Sequence, residues 1–383
     1  MKILLVTPGM QSPWVDGRIT SLLALSEALA ARDVSVEVLT TGPQDQGQRQ
    51  YCEKGVRYQV LPGGSKGNWL KMLQCFWRLA KKDRVDQVVY RPFSGFNSVN
   101  IVSVFSLWML SLLRRVPFNL SLWSGPQQLL KVPWLFSTIM VSSKVDVASS
   151  RVVPIRPLVE MAPVVSPSWD ANPLKQYGFA EEDRVCLFTY CGKLNVDSLW
   201  RYTLERRGLG DLIAAAAQLK DIPDLKFLVS IPVLATREGR ERLLDLLRAA
   251  GIEDRFVLTP AIDNLAEVLS AVDTYLYPVN IEEPSWAPIS MLEALACDTP
   301  VITTSTPIIR EFMSSEEVLM YEPGRADQLS DLIRLVLDDC AEVSGRTARG
   351  RAKVAALNSS SGVAEQILAV LDRSSTLCPN NSR

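Results

Sequence analysis

The chain has 383 residues, 47% apolar and 22% charged, with 20 Gly and 23 Pro, a composition that excludes disordered and fibrous proteins and leaves room for two folded domains. Histidine is absent altogether, which excludes Ser-His-Asp triads, His-ligated zinc, phosphohistidine chemistry and imidazole general bases. A net charge of -1 hides an asymmetry: residues 1–160 hold 19 Lys and Arg against 10 Asp and Glu, whereas residues 161–383 hold 22 against 32. The halves are therefore +9 and -10, which either turns the first half toward something anionic or lets the halves attract each other.

The N-terminal MKILLVTPGM is too short for a secretory apolar core and reads as a buried first strand, Ile3 to Val6. The loop PGMQSPWVDGRI follows, then a helix from Ile19 to Ala31. Gly17 at its start lets a phosphate approach free backbone N–H groups, with Arg18 adding charge, or else makes a plain turn. Further strands are expected at Val34 to Thr40, Arg57 to Leu61, Gln87 to Tyr90, Phe118 to Leu122 and Asp146 to Ala148.

Between them, the basic segment Asn68 to Arg84 predicts a helix that combines Trp69, Phe76 and Trp77 with Lys71, Arg78, Lys81, Lys82 and Arg84. Such a mixture suits either a membrane interface or a surface helix with buried aromatics. Residues Ile101 to Leu113 are densely apolar yet too few to span a bilayer of ~30 Å, so a core helix that touches membrane at most is expected. The seven cysteines (Cys52, Cys75, Cys186, Cys191, Cys297, Cys340 and Cys378) are odd in number and never spaced C-x-x-C, which speaks against a disulfide framework or zinc site and fits a reducing, cytoplasmic compartment.

The irregular stretch from Pro154 to Pro173 marks a boundary. It divides a first domain, 1–165, from a second, 166–359, with a helix over 360–373 placed to pack back onto the first and a polar tail, 374–383. Second-half strands are expected at Val185 to Tyr190, Leu225 to Ile231, Phe256 to Thr259, Thr274 to Tyr277, Val301 to Thr304 and Val318 to Tyr321. Alternating strands and helices of this kind predict an α/β fold of two doubly wound, Rossmann-like domains, whose ligands bind beyond the carboxyl ends of the strands.

Three second-half segments meet that requirement. After TYCGKL comes RRGLGDLIAAAAQLK, so Lys193 and Arg206 or Arg207 flank one strand end, either as a clamp on a diphosphate or as solvated surface charges. Glu293, set in the apolar run MLEALA, is suited to accept both hydroxyls of a ribose. Glu282 and Glu283 lie in the acidic loop before it.

The segment PISMLEALACDTPVITT resembles the signature of the GT-B glycosyltransferases, in particular the retaining family 4 group with its acidic loop and LEAMACGTPVI pattern. MKILLVTP with its glycine loop, SEALAARDVSVEVLT, the GKL and RRGLGDLI pair, and TYLYPV follow in the same order. The resemblance implies transfer of a sugar from a nucleotide diphosphate (UDP or GDP) donor, the first domain holding a lipid-linked or glycan acceptor, with no metal, no further cofactor and no nucleic acid. It implies Glu293 on the ribose, Lys193 and Arg207 on the diphosphate and Gly17 near the transferred sugar; Glu283 or Glu282 is the residue expected near the reacting centre.

The chain departs from the family pattern at three places. Ser285 stands where the family has its first glutamate, Pro307 and Ile308 stand where it has Gly-Gly before Glu311, and Trp123 or Ser124 replaces its first-domain histidine. A non-catalytic glycan- or partner-binding subunit and a nucleotide-sugar epimerase are the alternative readings. The charge of the first half adds an anionic membrane surface as an expected partner.

Overall fold

The computed structural model describes residues 1–7, 17–42, 48–62, 66–81, 85–91, 98–122, 132–142, 149–159, 161, 171–190, 202–280, 287–338 and 341–376. They form two compact units, one chiefly from residues 1–160 and 357–383, the other from 161–284 and 288–356.

The first unit contains β1 (Lys2–Thr7), α1 (Gly17–Ala30), β2 (Ser35–Gly42), β3 (Arg49–Glu53), β4 (Val56–Pro62), α2 (Lys66–Leu79), β5 (Gln87–Tyr90), α3 (Ser98–Arg114), β6 (Phe118–Leu122), β7 (Ile139–Val141) and β8 (Val152–Pro154). The strands form one sheet in the order β3-β4-β2-β1-β5-β6-β7-β8. Ile3, Leu4, Leu5 and Val6 are all buried, as a parallel strand covered on both faces requires. β3 alone runs antiparallel, at the edge. Its turn carries Lys54 and Gly55 at φ 46° and 80°, the pair of positive φ values that a two-residue hairpin needs. Tyr51 pairs with Tyr58 across the strands, their rings stacked 4.8 Å apart, which holds this otherwise polar strand in register.

The C-terminal helix Ser360–Thr376 belongs to the same unit. Its Val363, Ala364, Ile367 and Leu371 share a core with Ile3, Leu5 and the α1 residues Leu22, Leu25 and Leu29. The buried Gln87 side chain donates to the Leu371 carbonyl at 3.1 Å and accepts from Asn119 at 2.9 Å.

The second unit contains a 3-10 turn (Pro173–Tyr177), β9 (Arg184–Thr189), a π-helical turn (Tyr202–Arg206), α4 (Leu209–Gln218), β10 (Leu225–Ser230), α5 (Arg237–Ala250), β11 (Phe256–Thr259), α6 (Leu265–Leu269), β12 (Thr274–Tyr277), α7 (Ile289–Ala296), β13 (Val301–Thr304), α8 (Pro307–Phe312), β14 (Leu319–Tyr321), α9 (Ala326–Leu337) and α10 (Ala341–Asn358). Its sheet runs β11-β10-β9-β12-β13-β14, every pair parallel. The stretch 341–373 is long and apolar enough by composition to cross a membrane. Val354, Val363, Ala364, Ile367 and Leu371 in it are nevertheless buried within the folded units, as in core helices.

Several expectations change. The strand expected at Asp146 to Ala148 lies outside the described residues, and two strands that were not expected stand at Ile139–Val141 and Val152–Pro154. The basic helix ends at Leu79; Lys82 and Arg84 lie outside the described residues. Phe76 is buried in the core while Trp77 is exposed. α3 is only half a core helix: Val104, Leu107 and Ser111 are buried, and Val102, Phe105, Met109, Leu112 and Leu113 are exposed.

Candidate functional site

The sheet of the second unit reverses its winding between β9 and β12, since the chain moves outward from β9 through β10 to β11 and from β12 through β13 to β14. In open parallel sheets such a switch point leaves a crevice beyond the strand ends. Tyr190 follows β9 and Tyr277 ends β12. The π-helical turn Tyr202–Arg206 then leads through Arg207 and Gly208 into α4.

Arg207 is fixed there by aromatic rings. Its guanidinium carbon lies 4.5 Å from the Tyr190 ring centroid and 5.2 Å from that of Tyr202, within cation–π range. One Nη donates to the Tyr202 hydroxyl at 3.0 Å. Burial works against the charge, but the neighbouring Tyr277, Tyr202 and Tyr190 more than offset it and hold the guanidinium pKa above its ordinary value. Tyr277, half-buried, has its phenol pKa raised by desolvation, with Arg207 acting in the opposite direction.

Gly208 makes this approach possible. It adopts φ 72°, and a Cβ there would lie 1.8 Å from the carbonyl oxygen of Pro278. The loop after β12 is tied to the π-helical turn by Asn280, whose backbone N–H donates to the Arg206 carbonyl at 2.8 Å and whose side chain donates to the Glu205 carbonyl at 3.2 Å. One Asp211 oxygen, on the first turn of α4, accepts from the side chain of Asn280, the backbone N–H of Gly324 at 3.1 Å and the Tyr321 hydroxyl. Burial first, and the Asp211 charge second, drive the Tyr321 pKa upward. A fixed cation therefore stands beside the N-terminus of α4, where the helix dipole also favours an anion.

Glu293 is half-buried on α7, between the fully buried Leu292 and Ala294. The same helix ends at Cys297, whose thiol is pushed up to about 11 by burial, with the Glu293 charge adding to the rise. Pro307 opens α8 and is exposed, Ile308 is buried, and Glu311 is half-buried in the same helix. Pro307 has no N–H, so Ile308 carries the first backbone donor of α8.

Arg207, Glu293, Pro307, Ile308 and Glu311 thus belong to elements that follow the carboxyl ends of three strands of one sheet. Arg206 is exposed and contributes its carbonyl to Asn280. Lys193, Glu282, Glu283 and Ser285 lie outside the described residues. Gly17 and Arg18 open α1 in the first unit, and the Arg18 side chain lies outside what is described. Among the described residues no group of three His, Cys, Asp or Glu is placed to hold a metal ion. Sequence reasoning missed the roles of Tyr190, Tyr202, Tyr277 and Asn280. Tyr190 and Tyr277 end two of the expected strands, and that position was the available signal.

Residues 201–351 match the family model described as glycosyl transferases group 1. No curated protein matches the chain. Among solved structures, a glycosyltransferase from Rickettsia africae is 13% identical with a TM-score of 0.73, the alignment covering 100% of this chain and 99% of that one. HepE from Anabaena, in complex with UDP-glucose, is 16% identical with a TM-score of 0.69, covering 97% and 100%. Sucrose-phosphate synthase from Thermosynechococcus elongatus is 19% identical with a TM-score of 0.66, covering 97% and 98%. The chain therefore has the two-domain, Rossmann-like GT-B fold of glycosyltransferases, and over residues 201–351 it is similar to the glycosyl transferases group 1.

Proposed function

We propose that this protein is a glycosyltransferase of the retaining, family 4 type, which moves a sugar from a cytoplasmic nucleotide diphosphate donor to an acceptor hydroxyl. The observation that carries this reading is Arg207, a caged cation at the N-terminus of α4 and at the switch point of the second sheet. The family match over the same segment and the UDP-glucose complex of HepE support it.

In this reading the donor diphosphate lies against Arg207 and the N-terminus of α4, with Lys193 completing the clamp and Arg206 on its exposed rim. The carboxylate of Glu293 accepts the two ribose hydroxyls. As the bond from the anomeric carbon to phosphate breaks, its electron pair leaves with the diphosphate, and the growing charge is met by cations already in place. The acceptor oxygen forms the new bond on the same face, and its proton passes to the departing diphosphate oxygen. The reading assigns Glu283 or Glu282 to the neighbourhood of the reacting carbon. The N–H of Ile308 takes the position of a donor contact, Glu311 faces the transferred sugar, and Gly17 with Arg18 serves the acceptor side.

The test is incubation with UDP- and GDP-sugars, followed by nuclear magnetic resonance. Release of nucleotide diphosphate with a sugar product of retained anomeric configuration supports the proposal. An isomerised donor would show an epimerase, and a donor neither bound nor consumed would show a non-catalytic subunit.

A further inference from the structure

The described face of α3 is unusually apolar for a helix open to solvent. Val102 is 61% exposed, Leu112 59% and Leu113 63%, with Phe105 and Met109 also exposed. Positions 102, 105, 109 and 112 follow helical spacing along one side. Trp108 continues the surface: its ring lies 5.3 Å from Phe105 and meets Trp134 edge-on at 6.1 Å, and Trp134 is itself 62% exposed. On α2 the exposed Trp77 lies under the Arg114 guanidinium, 3.4 Å from the ring centroid. Scattered apolar side chains on a surface are ordinary, whereas a continuous patch of this kind marks an interaction face.

The charges around the patch are all of one sign on these two helices. Lys71 and Arg78 are exposed on α2, Lys81 is exposed just past it, and Arg115 is exposed at the end of α3. Neither α2 nor α3 contains an Asp or Glu. Arg115 closes α3 at φ 55°, with its N–H donating to the Leu112 carbonyl at 3.0 Å and the Val116 N–H donating to Ser111 at 3.1 Å. This left-handed capping position ordinarily holds glycine, so the charge there is not required by the turn.

We propose that this face of the first unit docks on an anionic lipid bilayer, the α3 side chains and Trp134 entering the headgroup boundary while Lys71, Arg78, Lys81 and Arg115 lie over the lipid charges. Aromatic and aliphatic groups joined to cations, with no acidic residue on either helix, fit that surface better than they fit a protein groove. The excess of basic residues over 1–160 points the same way.

The experiment is cosedimentation of the full chain with vesicles of phosphatidylcholine alone and of phosphatidylcholine mixed with phosphatidylglycerol, at low and high salt. Each basic residue near such a surface changes partitioning about fivefold. The wild type should partition preferentially onto the anionic vesicles and leave them at high salt. Combining Lys71→Glu, Arg78→Glu and Arg115→Gly should weaken binding by about 100-fold or more. Leu112→Asp with Leu113→Asp should weaken it on the order of 10-fold or more. Arg115→Gly alone should lower vesicle binding without lowering the melting temperature, because glycine suits that backbone position, so a loss of binding is separated from a loss of fold. Equal binding to uncharged vesicles, or variants that bind like the wild type, would overturn the proposal. So would a concentration-dependent dimer that the leucine variant abolishes while the wild type ignores vesicles, since the face would then be a protein interface.

Discussion

The Arg207 guanidinium rests on the ring of Tyr190, 4.5 Å from its centroid, at the carboxyl end of the strand that begins the switch point. A cation held by stacking keeps its direction without needing a carboxylate to hold it, and a carboxylate there would cancel the charge. Lysine in place of this arginine keeps the charge but loses the planar stacking and the hydrogen bond to Tyr202. Arg207→Lys should therefore lower kcat by about 10- to 100-fold, with KM changing less, because charge on the leaving diphosphate grows toward the transition state. Steady-state kinetics decide it: a rise in KM alone would make Arg207 a binding residue only.

Glu293→Gln is expected to weaken nucleotide diphosphate binding by about 10- to 100-fold, on the order of 1.4 to 2.7 kcal/mol, since an amide in that place pairs poorly with two ribose hydroxyls. Titration calorimetry measures it. Unchanged affinity in a folded variant removes Glu293 from the site.

Gly208→Ala tests the close approach of the two loops. Its Cβ would fall 1.8 Å from the Pro278 oxygen, at a φ of 72° that L residues rarely adopt. Both backbones are fixed by Asn280 and Asp211, so relief requires moving one segment. A loss of about 3 kcal/mol or more is expected, read from denaturant unfolding. A variant within 1 kcal/mol of wild type, roughly the ordinary effect of a point substitution, would show the turn to be plastic.

The buried phenols set an alkaline limit. Burial raises the pKa of Tyr58, Tyr90, Tyr277 and Tyr321 above the ordinary value of 10.0. The raised folded-state values mean that their contribution to stability is complete below the unfolded pKa and is lost as pH rises from there through the folded values. Stability should fall steadily above about pH 10. Absorbance of tyrosinate during a pH titration should show a late, cooperative step that coincides with loss of circular dichroism. A gradual titration of every tyrosine would contradict it.

The interior strands were legible because a parallel strand covered on both faces is a short unbroken apolar run: RVCLFT, TYLY and VITT fall where such runs fall. β3 was not legible, since RQYCE is wholly exposed and is held by the Tyr51–Tyr58 pair and its turn, neither of which has a periodic signal. The candidate cations and carboxylates could be picked out singly. The cage of Arg207 could not, because Tyr277 is brought beside Tyr190 by the β9–β12 pairing and Tyr202 by the π-helical turn, and neither leaves a periodic signal. α3 was legible only in part: SVNIVSVFSLWMLSLLR carries apolar residues on more than one side, so its composition does not say which side the fold covers.

The C-terminal helix has a consequence for the birth of the chain. Gln87 waits for the Leu371 carbonyl, a partner 284 residues later, and Leu22, Leu25 and Leu29 wait for Val363, Ile367 and Leu371. At a synthesis rate of about 5 to 20 residues per second, the α1 side of the first sheet stays uncovered for roughly tens of seconds while the second unit is made. The second unit, 161–284 with 288–356, is therefore the first to have its own core complete on the ribosome, although it is encoded second. During that interval the half-covered first sheet is the chain's exposure to aggregation and to chaperones, and its closure depends on helix Ser360–Thr376 arriving before either does.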